Sequence, residues 1–598
     1  MCSTTIRGSI YFILCFTVLF GTALGLYVTS PHIIVFMADD LGWDDVGFHG
    51  SDQIPTPNID ALAYNGIILN RHYVLPSSTP SRTAFFTGQY PIRLGMQGAD
   101  IQGGEPRGIP LKVKILPEYL RDLGYITKLI GKWHVGYYTS QHTPLNRGFD
   151  SFFGFYNSYI TYYDYKYSFQ NMSGYDMHYG DAPAYVSTNK YVTDLFTDEA
   201  VRIIQHHEPS QALFLQISHL AVHAPLESPH DYDYYDRQFR HIWEINRRKY
   251  ARMVSRLDNS VGRVVQALGS RGMLKDSLIL FLTDNGAASI GKFRNYGSNY
   301  PLRGVCILNY TTDINIESIN LRHRGVRGVA VLWSPRLRKT ARVCDDLMHI
   351  TDWLPTLYTI AGGDVRDLGE IDGVNQWCML NDSFPSARDR LLLNIDEVSK
   401  TEGAIYKQFK LIRGSVEDGY YDGYYRDIER MPNDPRKSLH EKAYKNMPPY
   451  TDTILKSVVS KSITHHLGDP VTQPSTIIQL RREATVNCQP RDSFITCNVT
   501  ECLFDINNDP CETRNIAKQY SRISRELDKY LEHYGIIVKK QIKIPVDWLA
   551  DPRRTNNTWE PWVISSEIIL NNSAQLASLA YCVHIGIILV TVICNGFI

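Results

Sequence analysis

The sequence predicts an α/β fold in which helices cover both faces of a mostly parallel central sheet, followed by a smaller C-terminal α+β domain. Two observations support this prediction. Short apolar strands alternate with helical stretches as far as about Asp389, which is typical of parallel sheets covered by helices. Beyond that point the chain changes to short strands and turns, and 598 residues are enough for a large domain and a smaller one.

The predicted elements follow in order along the chain. A buried apolar strand lies within residues 31–41 and ends in two carboxylates, Asp39 and Asp40. A later apolar strand ends in a similar way at Asp284 and Asn285. Strands are also predicted at 213–218, 277–283 and 329–333, helices at 57–64, 116–123 and 250–268, and short strands of the second domain at 403–413 and 502–505.

These strand ends predict a metal site. Ligands bind parallel sheets at the carboxyl ends of the strands, and Asp39, Asp40 and Asp284 fall at such ends. Adjacent carboxylates repel each other unless a cation lies between or beside them. A ligand set of oxygen atoms, without Cys or His, suits Ca²⁺ or Mg²⁺ better than zinc or copper.

Ser78 lies in a turn that favours an anion. Pro80 disfavours helical conformation at the preceding residues, whereas the chain from Ser81 onward suits the start of a helix. The turn therefore places Ser78 at or before a helix N-terminus, where backbone N–H groups favour negative charge. Arg82 would lie one turn further on, within reach of the same anion.

Long sequence motifs connect these segments over nearly the whole mature chain. They are Ala38-Asp39-Asp40-Leu-Gly-Trp43, Pro55-Thr-Pro-Asn-Ile-Asp60, Thr87-Gly-Gln-Tyr-Pro-Ile-Arg93, Gly131-Lys132-Trp133-His134-Val-Gly136, Val222-His223-Ala-Pro225, Thr283-Asp284-Asn285-Gly286, His349-Ile-Thr-Asp352-Trp-Leu-Pro355 and Leu503-Phe-Asp-Ile-Asn-Asn-Asp-Pro510-Cys-Glu512. Together they resemble the sulfatase family, and in particular its arylsulfatase B-like (N-acetylgalactosamine-4-sulfatase-like) branch.

The resemblance implies the alkaline phosphatase-like sulfatase fold and a calcium-dependent sulfuric ester hydrolase that acts on sulfated sugars or aryl sulfates. Lys132 and His134 would contact the sulfate and the nucleophile, and His223 would lie near the ester leaving oxygen. Arg82 would stabilise the region of the nucleophile. The implied catalytic residues are Ser78, Arg82, Lys132, His134 and His223, and the implied Ca²⁺ ligands are Asp39, Asp40, Ser78, Asp284 and Asn285.

Ser78 departs from the family motif Cys-x-Pro-x-Arg, whose cysteine is converted to a formylglycine aldehyde. In the hydrated aldehyde one hydroxyl attacks sulfur and the other expels sulfate by reforming the carbonyl. A serine has one hydroxyl, so its sulfate ester has no internal route of decomposition. Bacterial relatives carry serine here and convert it with a different maturation enzyme. Two alternatives stay open: a pseudoenzyme that binds sulfated glycans without cleaving them, and a serine-based phosphate-ester hydrolase, a class that normally needs two metal ions.

A second departure follows Gly304. The family continues with a loop that bears a lysine and then a Glu-Gly-Gly run, whereas residues 305–324 here contain Cys306 and Asn309 in their place. The lysine that contacts sulfate in the family has no counterpart in this stretch. It is interpreted either as an insertion or as an error in the gene model.

Both ends of the chain indicate a secretory route. Residues 1–25 have the features of a signal peptide, with Arg7 before an apolar run. Residues 576–598 form an apolar tail after a predicted linker, 551–575, and predict membrane attachment by a helix or a lipid anchor. A lysosomal, extracellular or cell-surface location agrees with N-glycosylation sequons at Asn171, Asn309, Asn381, Asn498, Asn556 and Asn571.

The balance of charged residues does not indicate a nucleic-acid partner. Lys plus Arg equals Asp plus Glu at 62 each, so the chain has no net positive field that would attract nucleic acid.

A catalytic-type domain is predicted over 26–389 and the smaller domain over 390–550. Two local disulfides are expected among Cys488, Cys497, Cys502 and Cys511, and the odd cysteine total of the mature part leaves one free thiol, for which Cys306 is the candidate.

A tyrosine-rich segment runs from Tyr156 to Tyr191. Such segments often line carbohydrate sites, although a packed and partly exposed surface layer is the more common explanation.

Overall fold

The computed structural model describes residues 30–563, apart from 187–188, 232–237, 290–292, 304–322, 416–448, 469–471, 489–494, 498–499 and 542–543. The predicted signal peptide, the apolar tail, Cys306 and the sequons at Asn309, Asn498 and Asn571 lie outside these residues.

Within the described residues, a ten-stranded sheet forms the centre of the molecule. The strands among the described residues are β1 (His32–Ala38), β2 (Ile67–Leu69), β3 (His72–Tyr73), β4 (Ile126–Lys132), β5 (Ser151–Phe155), β6 (Lys166–Phe169), β7 (Met172–Tyr175), β8 (His178–Tyr179), β9 (Ala182–Pro183), β10 (Leu213–Ser218), β11 (Ser277–Thr283), β12 (Ala330–Trp333), β13 (Arg342–Cys344), β14 (Met348–His349), β15 (Arg390–Asp396), β16 (Thr401–Tyr406), β17 (Phe409–Arg413) and β18 (Cys502–Asp505). The central sheet has the order β13-β2-β12-β11-β1-β10-β4-β5-β8-β9.

The middle of the sheet is parallel, as predicted. Strand β1 lies between β10 and β11 and is parallel to both, with Ile34 opposite Leu215 on one side and Ile279 on the other. Strands β4 and β5 continue the parallel arrangement. The predicted strand at 329–333 is present as β12, but it runs antiparallel to β11, so the sheet as a whole is mixed.

Two groups of helices flank the sheet. The helices in the part of the chain that the structure describes are α1 (Pro57–Asn65), α2 (Ser78–Thr87), α3 (Leu116–Asp122), α4 (Val192–His206), α5 (Ile245–Ser270), α6 (His323–Val326), α7 (Trp353–Ile360), α8 (Trp377–Asp382), α9 (Tyr450–Leu455), α10 (Val458–Leu467), α11 (Pro474–Ala484) and α12 (Ser521–Ile537). Helices α1, α4, α5 and α10 form one packed group, and α2, α3 and α7 form the other. Because helices cover the sheet, β1, β10 and β11 are buried along their whole length, which explains their continuous apolar sequences.

The start of α2 corrects one prediction. The helix begins at Ser78, three residues before the expected start at Ser81, and Ser77 is its N-cap residue. Pro80 is accommodated in the first turn, where a backbone N–H has no partner within the helix and none is lost. The more important expectation, that Ser78 lies at a helix N-terminus, is confirmed.

The C-terminal part contains a second, antiparallel sheet with the order β15-β16-β17-β18, on which α12 packs. Helices α9 to α11 do not belong to it, because they pack against α1 and the other elements of the central domain. Residues 551–563, part of the predicted linker, also pack against that domain. Trp559 is completely buried there and donates a hydrogen bond from Nε1 to the carbonyl of Tyr167 at 3.1 Å.

The two local disulfides are confirmed, as Cys488–Cys511 and Cys497–Cys502. The expectation of a single free thiol is wrong, because Cys344 and Cys378 are both free. In the part of the chain that the structure describes, no helix is long and apolar enough to cross a membrane.

Candidate active site

Four neighbouring parallel strands deliver the predicted site residues to one edge of the sheet. In the order β11-β1-β10-β4, the segments at their carboxyl ends carry Asp284, Asp39, His223 and Lys132. Helix α2 brings Ser78 to the same edge. The sequence separations of these residues are large, but the sheet order makes them neighbours.

The hydroxyl of Ser78 is surrounded by charged groups. Its Oγ donates to Oδ2 of Asp284 at 2.7 Å and lies 3.1 Å from Oδ1 of Asp39. On the other side, Nζ of Lys132 donates to the same Oγ at 3.0 Å. Ser78 is 3% exposed, so its hydroxyl faces these groups rather than bulk water.

The three carboxylates of Asp39, Asp40 and Asp284 form a cluster that fits a metal ion. Oxygen atoms of the three lie within 4.8 Å of one another, and all three side chains are buried. Oδ2 of Asp40 has no hydrogen-bond partner among the described residues, which is costly for a buried carboxylate unless a cation compensates it. Burial and the charges of Asp39 and Asp284 raise the pKa of Asp40 well above its ordinary value. The donor set consists of oxygen atoms and suits a hard divalent cation.

Asn285 completes this cluster. Its Nδ2 donates to Oδ1 of Asp40 and to the carbonyl of Gly286, and its Oδ1 lies 3.5 Å from Oγ of Ser78. Asp40 has a left-handed backbone conformation with φ 58°, which turns the chain sharply after β1. This turn allows two consecutive carboxylates to point into one site.

Two buried cations balance part of the negative charge. Lys132 donates from Nζ to Oδ2 of Asp39 at 2.8 Å, and Arg82 donates from Nε and Nη2 to Oδ2 of Asp284 at 3.1 and 2.9 Å. Burial raises the pKa of Asp39, but the charges of Lys132, His223 and Arg82 outweigh burial, and the pKa is lowered overall. Asp39 is therefore held as a carboxylate.

His134 lies one step away from the Ser78 hydroxyl. Its Nε2 is 3.0 Å from the carbonyl of Ile101 and 3.3 Å from Oγ1 of Thr79, the residue that follows Ser78. Burial and the charge of Lys132 lower the pKa of His134. A neutral His134 positioned in this way supports the first turn of α2.

His223 faces the metal cluster from the segment after β10. Its Nε2 lies 3.7 Å from Oδ2 of Asp40, while its Nδ1 lies against the carbonyl of Ala224. Burial lowers the pKa of His223, although the charge of Asp39 opposes the shift. With Nδ1 held by a carbonyl, Nε2 is the nitrogen available to the site.

Sequence reasoning missed two residues that hold the site in place. The buried Asn295 donates from Nδ2 to the carbonyls of Asp40 and Val222 at 2.9 and 3.1 Å. The buried Asp100 accepts a hydrogen bond from the backbone N–H of Thr79 at 2.7 Å and so caps α2 from outside the helix. Neither residue lies at a strand end, and their partners are backbone groups that no sequence pattern reveals.

The fold and the site together define a hydrolase of α/β class, with a hydroxyl-bearing residue at a helix N-terminus beside carboxylates that could hold a metal ion. A model of the sulfatase family matches residues 31–363, more than half of the chain. The chain belongs to the sulfatase family and is a sulfuric ester hydrolase.

The relatives agree with this assignment. Arylsulfatase J of Mus musculus is 33% identical over 536 residues, covering 89% of this chain and 80% of that protein. N-acetylgalactosamine-6-sulfatase of Mus musculus is 32% identical over 375 residues, covering 59% of this chain and 68% of that protein. These names favour sulfate ester hydrolysis over the pseudoenzyme and the phosphate-ester alternatives.

Among solved structures, Ps i-CgsB in complex with k-i-k-neocarrahexaose superposes with a TM-score of 0.63 at 24% identity, covering 86% of this chain and 94% of that one. This similarity supports the predicted fold class.

Proposed function

We propose that this chain is a calcium-dependent sulfatase of the arylsulfatase B type that cleaves sulfate esters of sugars or aryl alcohols, with residue 78 as the nucleophile. The observation that carries the proposal is the position of the Ser78 side chain. Its Oγ is within 3.1 Å of two carboxylates and a lysine ammonium, all buried, at the N-terminus of α2. With a cation held by the carboxylates, these groups would surround the nucleophile with the positive charge that attack on an anionic ester requires.

The charge of the site explains why a cation would be needed. When all three buried carboxylates are ionised they outnumber the two buried cations, Lys132 and Arg82, and the site would repel a sulfate ester. Asp39, Asp40, Asp284 and Asn285 would hold the ion, together with residue 78. Bound Ca²⁺ would reverse the net charge and polarise a sulfate oxygen.

The protein's own residues have separate roles in the proposed reaction. Lys132, at 3.0 Å from Oγ of Ser78, stabilises negative charge on the nucleophile and on the sulfate beside it. Arg82 holds Asp284 through two hydrogen bonds, which keeps that carboxylate directed at residue 78. His223 presents Nε2 to the site and exchanges a proton with the leaving oxygen.

Repeated turnover by this site requires more than an unmodified serine. The attack of Oγ on sulfur would release the alcohol and leave sulfate bound to Ser78, and that ester has no internal route of decomposition. We therefore propose that Ser78 is oxidised to the aldehyde by a maturation enzyme that removes two hydrogens. The hydrated aldehyde supplies the second hydroxyl, whose proton loss reforms the carbonyl and expels sulfate.

Mass spectrometry of the peptide that contains Ser78, from natively expressed protein, tests this step directly. We expect a peptide that lacks two hydrogens at residue 78, and release of sulfate from a chromogenic aryl sulfate that is abolished by a calcium chelator. Ser78→Ala and Asp284→Ala are the matched controls, because each removes one component of the site. Wild-type activity no higher than that of Ser78→Ala would contradict the proposal.

The natural substrate and the location are proposed from a relative and from surface features of the chain. The name of the relative N-acetylgalactosamine-6-sulfatase supports a sulfated amino sugar as substrate.

The two disulfides and the exposed sequon residues Asn171 and Asn556 support a secretory, lysosomal or extracellular location. Asn381 is a poorer acceptor because it is 7% exposed and its Nδ2 donates to Asp382. We also propose a catalytic-type domain over residues 26–389, on which α9 to α11 pack, and a smaller C-terminal domain around the sheet β15-β16-β17-β18.

A further inference from the structure

Two aromatic rings adjoin His223, and we call Tyr159 and Phe293 the aromatic wall. The ring of Tyr159 lies 5.9 Å from the ring of His223, with planes 15° apart. The ring of Phe293 lies 5.8 Å from His223 and 5.4 Å from Tyr159. Both wall residues are partly exposed, whereas His223 is 2% exposed. The wall therefore lies on the solvent side of a residue that faces the metal cluster.

Hydrogen bonds hold the loop that contributes Tyr159 to the wall. The hydroxyl of Tyr159 donates to the carbonyl of Ser168 at 2.9 Å, in the hairpin formed by β6 and β7. Tyr162, three residues after Tyr159 in the same loop, donates from its hydroxyl to the carbonyl of His223 at 2.8 Å. The loop that carries Tyr159 is thus tied to the loop that carries His223. A ligand that used this wall would meet a preformed surface.

Tyr159 differs from most of the tyrosine-rich segment around it. Tyr156, Tyr162, Tyr165 and Tyr167 are buried, and core packing accounts for them. The hydroxyl of Tyr159 is occupied by Ser168, so the part of Tyr159 that it can offer to a ligand is the face of its ring. An aromatic face recognises an apolar surface, such as the C–H face of a pyranose.

We propose that the aromatic wall is the subsite for the leaving group, and that it selects sulfate esters of a pyranose ring. This inference rests on the proposed function, because it takes His223 as the neighbour of the leaving oxygen. A ring attached to that oxygen would extend outward past His223 and pack on Tyr159 and Phe293. A sulfate ester of a short open-chain alcohol has no such face to offer and gains nothing from the wall.

Binding measurements test the wall without relying on turnover. Isothermal titration in the presence of Ca²⁺ compares N-acetylgalactosamine 6-sulfate with inorganic sulfate, which has no leaving group. For Tyr159→Ala and Phe293→Ala we expect about three- to tenfold weaker binding of the sugar sulfate and unchanged binding of inorganic sulfate. Tyr159→Phe keeps the ring and is expected to bind both ligands as the wild type does.

Tyr163→Ala is the matched control, because Tyr163 lies on the same loop but stacks on His230 at 4.1 Å instead. It should leave the binding of both ligands unchanged. Equal weakening of both ligands by the wall variants, or no weakening of the sugar sulfate, would overturn the inference while leaving the proposed function intact. A wild-type protein that binds neither ligand would refute the proposed function and this subsite with it.

Discussion

Removing the side chain of Asn295 should weaken the metal site as well as the fold. Asn295 makes three hydrogen bonds in a fully buried position: Nδ2 donates to the carbonyls of Asp40 and Val222, and Oδ1 accepts from the N–H of Gly297 at 3.0 Å. The carbonyl of Asp40 belongs to a residue in the left-handed region, so its hydrogen bond helps to hold an unfavourable conformation. Asn295→Ala releases that carbonyl and the carboxylate beside it.

The size of the effect can be worked out from these contacts. Loss of a residue that orients a metal ligand typically costs about 10- to 100-fold in metal affinity, or about 1.4–2.7 kcal/mol. Each buried group left without a partner also costs about 1–3 kcal/mol of folding stability, less any relaxation. We therefore expect Ca²⁺ binding by Asn295→Ala, measured by isothermal titration, to weaken by at least about tenfold, with a clear loss of stability in urea.

Asn299→Ala separates the two effects. Asn299 is 1% exposed and also makes three hydrogen bonds, with the N–H groups of Trp43 and Ala287 and the carbonyl of Ala287. It should lose comparable stability in urea but retain most of its affinity for Ca²⁺, because it has no bond to Asp40. If the two variants lose affinity equally, the reasoning that Asn295 acts through Asp40 is refuted.

Three further predictions follow from the described contacts. Lys132→Ala should lower kcat/KM for an aryl sulfate by at least about a hundredfold at constant Ca²⁺, because it removes the cation that contacts Ser78. An unchanged kcat/KM would refute a role of Lys132 in stabilising the nucleophile. Burial raises the pKa of Asp60 to about 7, whereas Asp60 in the unfolded chain keeps an ordinary pKa of about 4. Between about pH 4 and pH 7 the folded chain therefore keeps a proton that the unfolded chain has lost, and the free energy of unfolding falls by about 4 kcal/mol as pH rises. Asp60→Asn should flatten this slope in urea unfolding. Trp559→Ala should cost about 3–5 kcal/mol of unfolding free energy, because Trp559 is completely buried. Trp548 is 52% exposed, so Trp548→Ala should cost less than about 0.5 kcal/mol. Equal effects would mean that the segment around Trp559 does not pack as described.

The sequence predicts the parts of this molecule that depend on local pattern. Continuous apolar runs identify β10 and β11 with their exact bounds, because strands buried on both faces need apolar residues at every position. The direction of β12 was not predictable, because an apolar run has the same composition in parallel and antiparallel pairing. The return of α9 to α11 to the central domain depends on long-range packing, which helical periodicity does not report.

The same distinction applies to the site. Asp39 and Asp284 are predictable because each follows a recognisable strand, and the sheet order brings parallel strand ends together. Asn295 and Asp100 act on backbone groups of residues far away in the sequence, so their side chains carry no local signal.

A protein carboxylate occupies part of the N-terminus of α2, beside Ser78. Asp100 binds the N–H of Thr79 at 2.7 Å, which satisfies one of the free N–H groups at the helix N-terminus with a protein carboxylate. A sulfate ester bound at Ser78 therefore cannot rely on that N–H and must be held mainly by charge. The positive charges available are Lys132, at 2.8 Å from Asp39, Arg82, at 2.9 Å from Asp284, and a cation that the carboxylates could hold. It follows that affinity for sulfate should depend on Ca²⁺ more strongly than on the helix terminus, as the charge balance of the site requires.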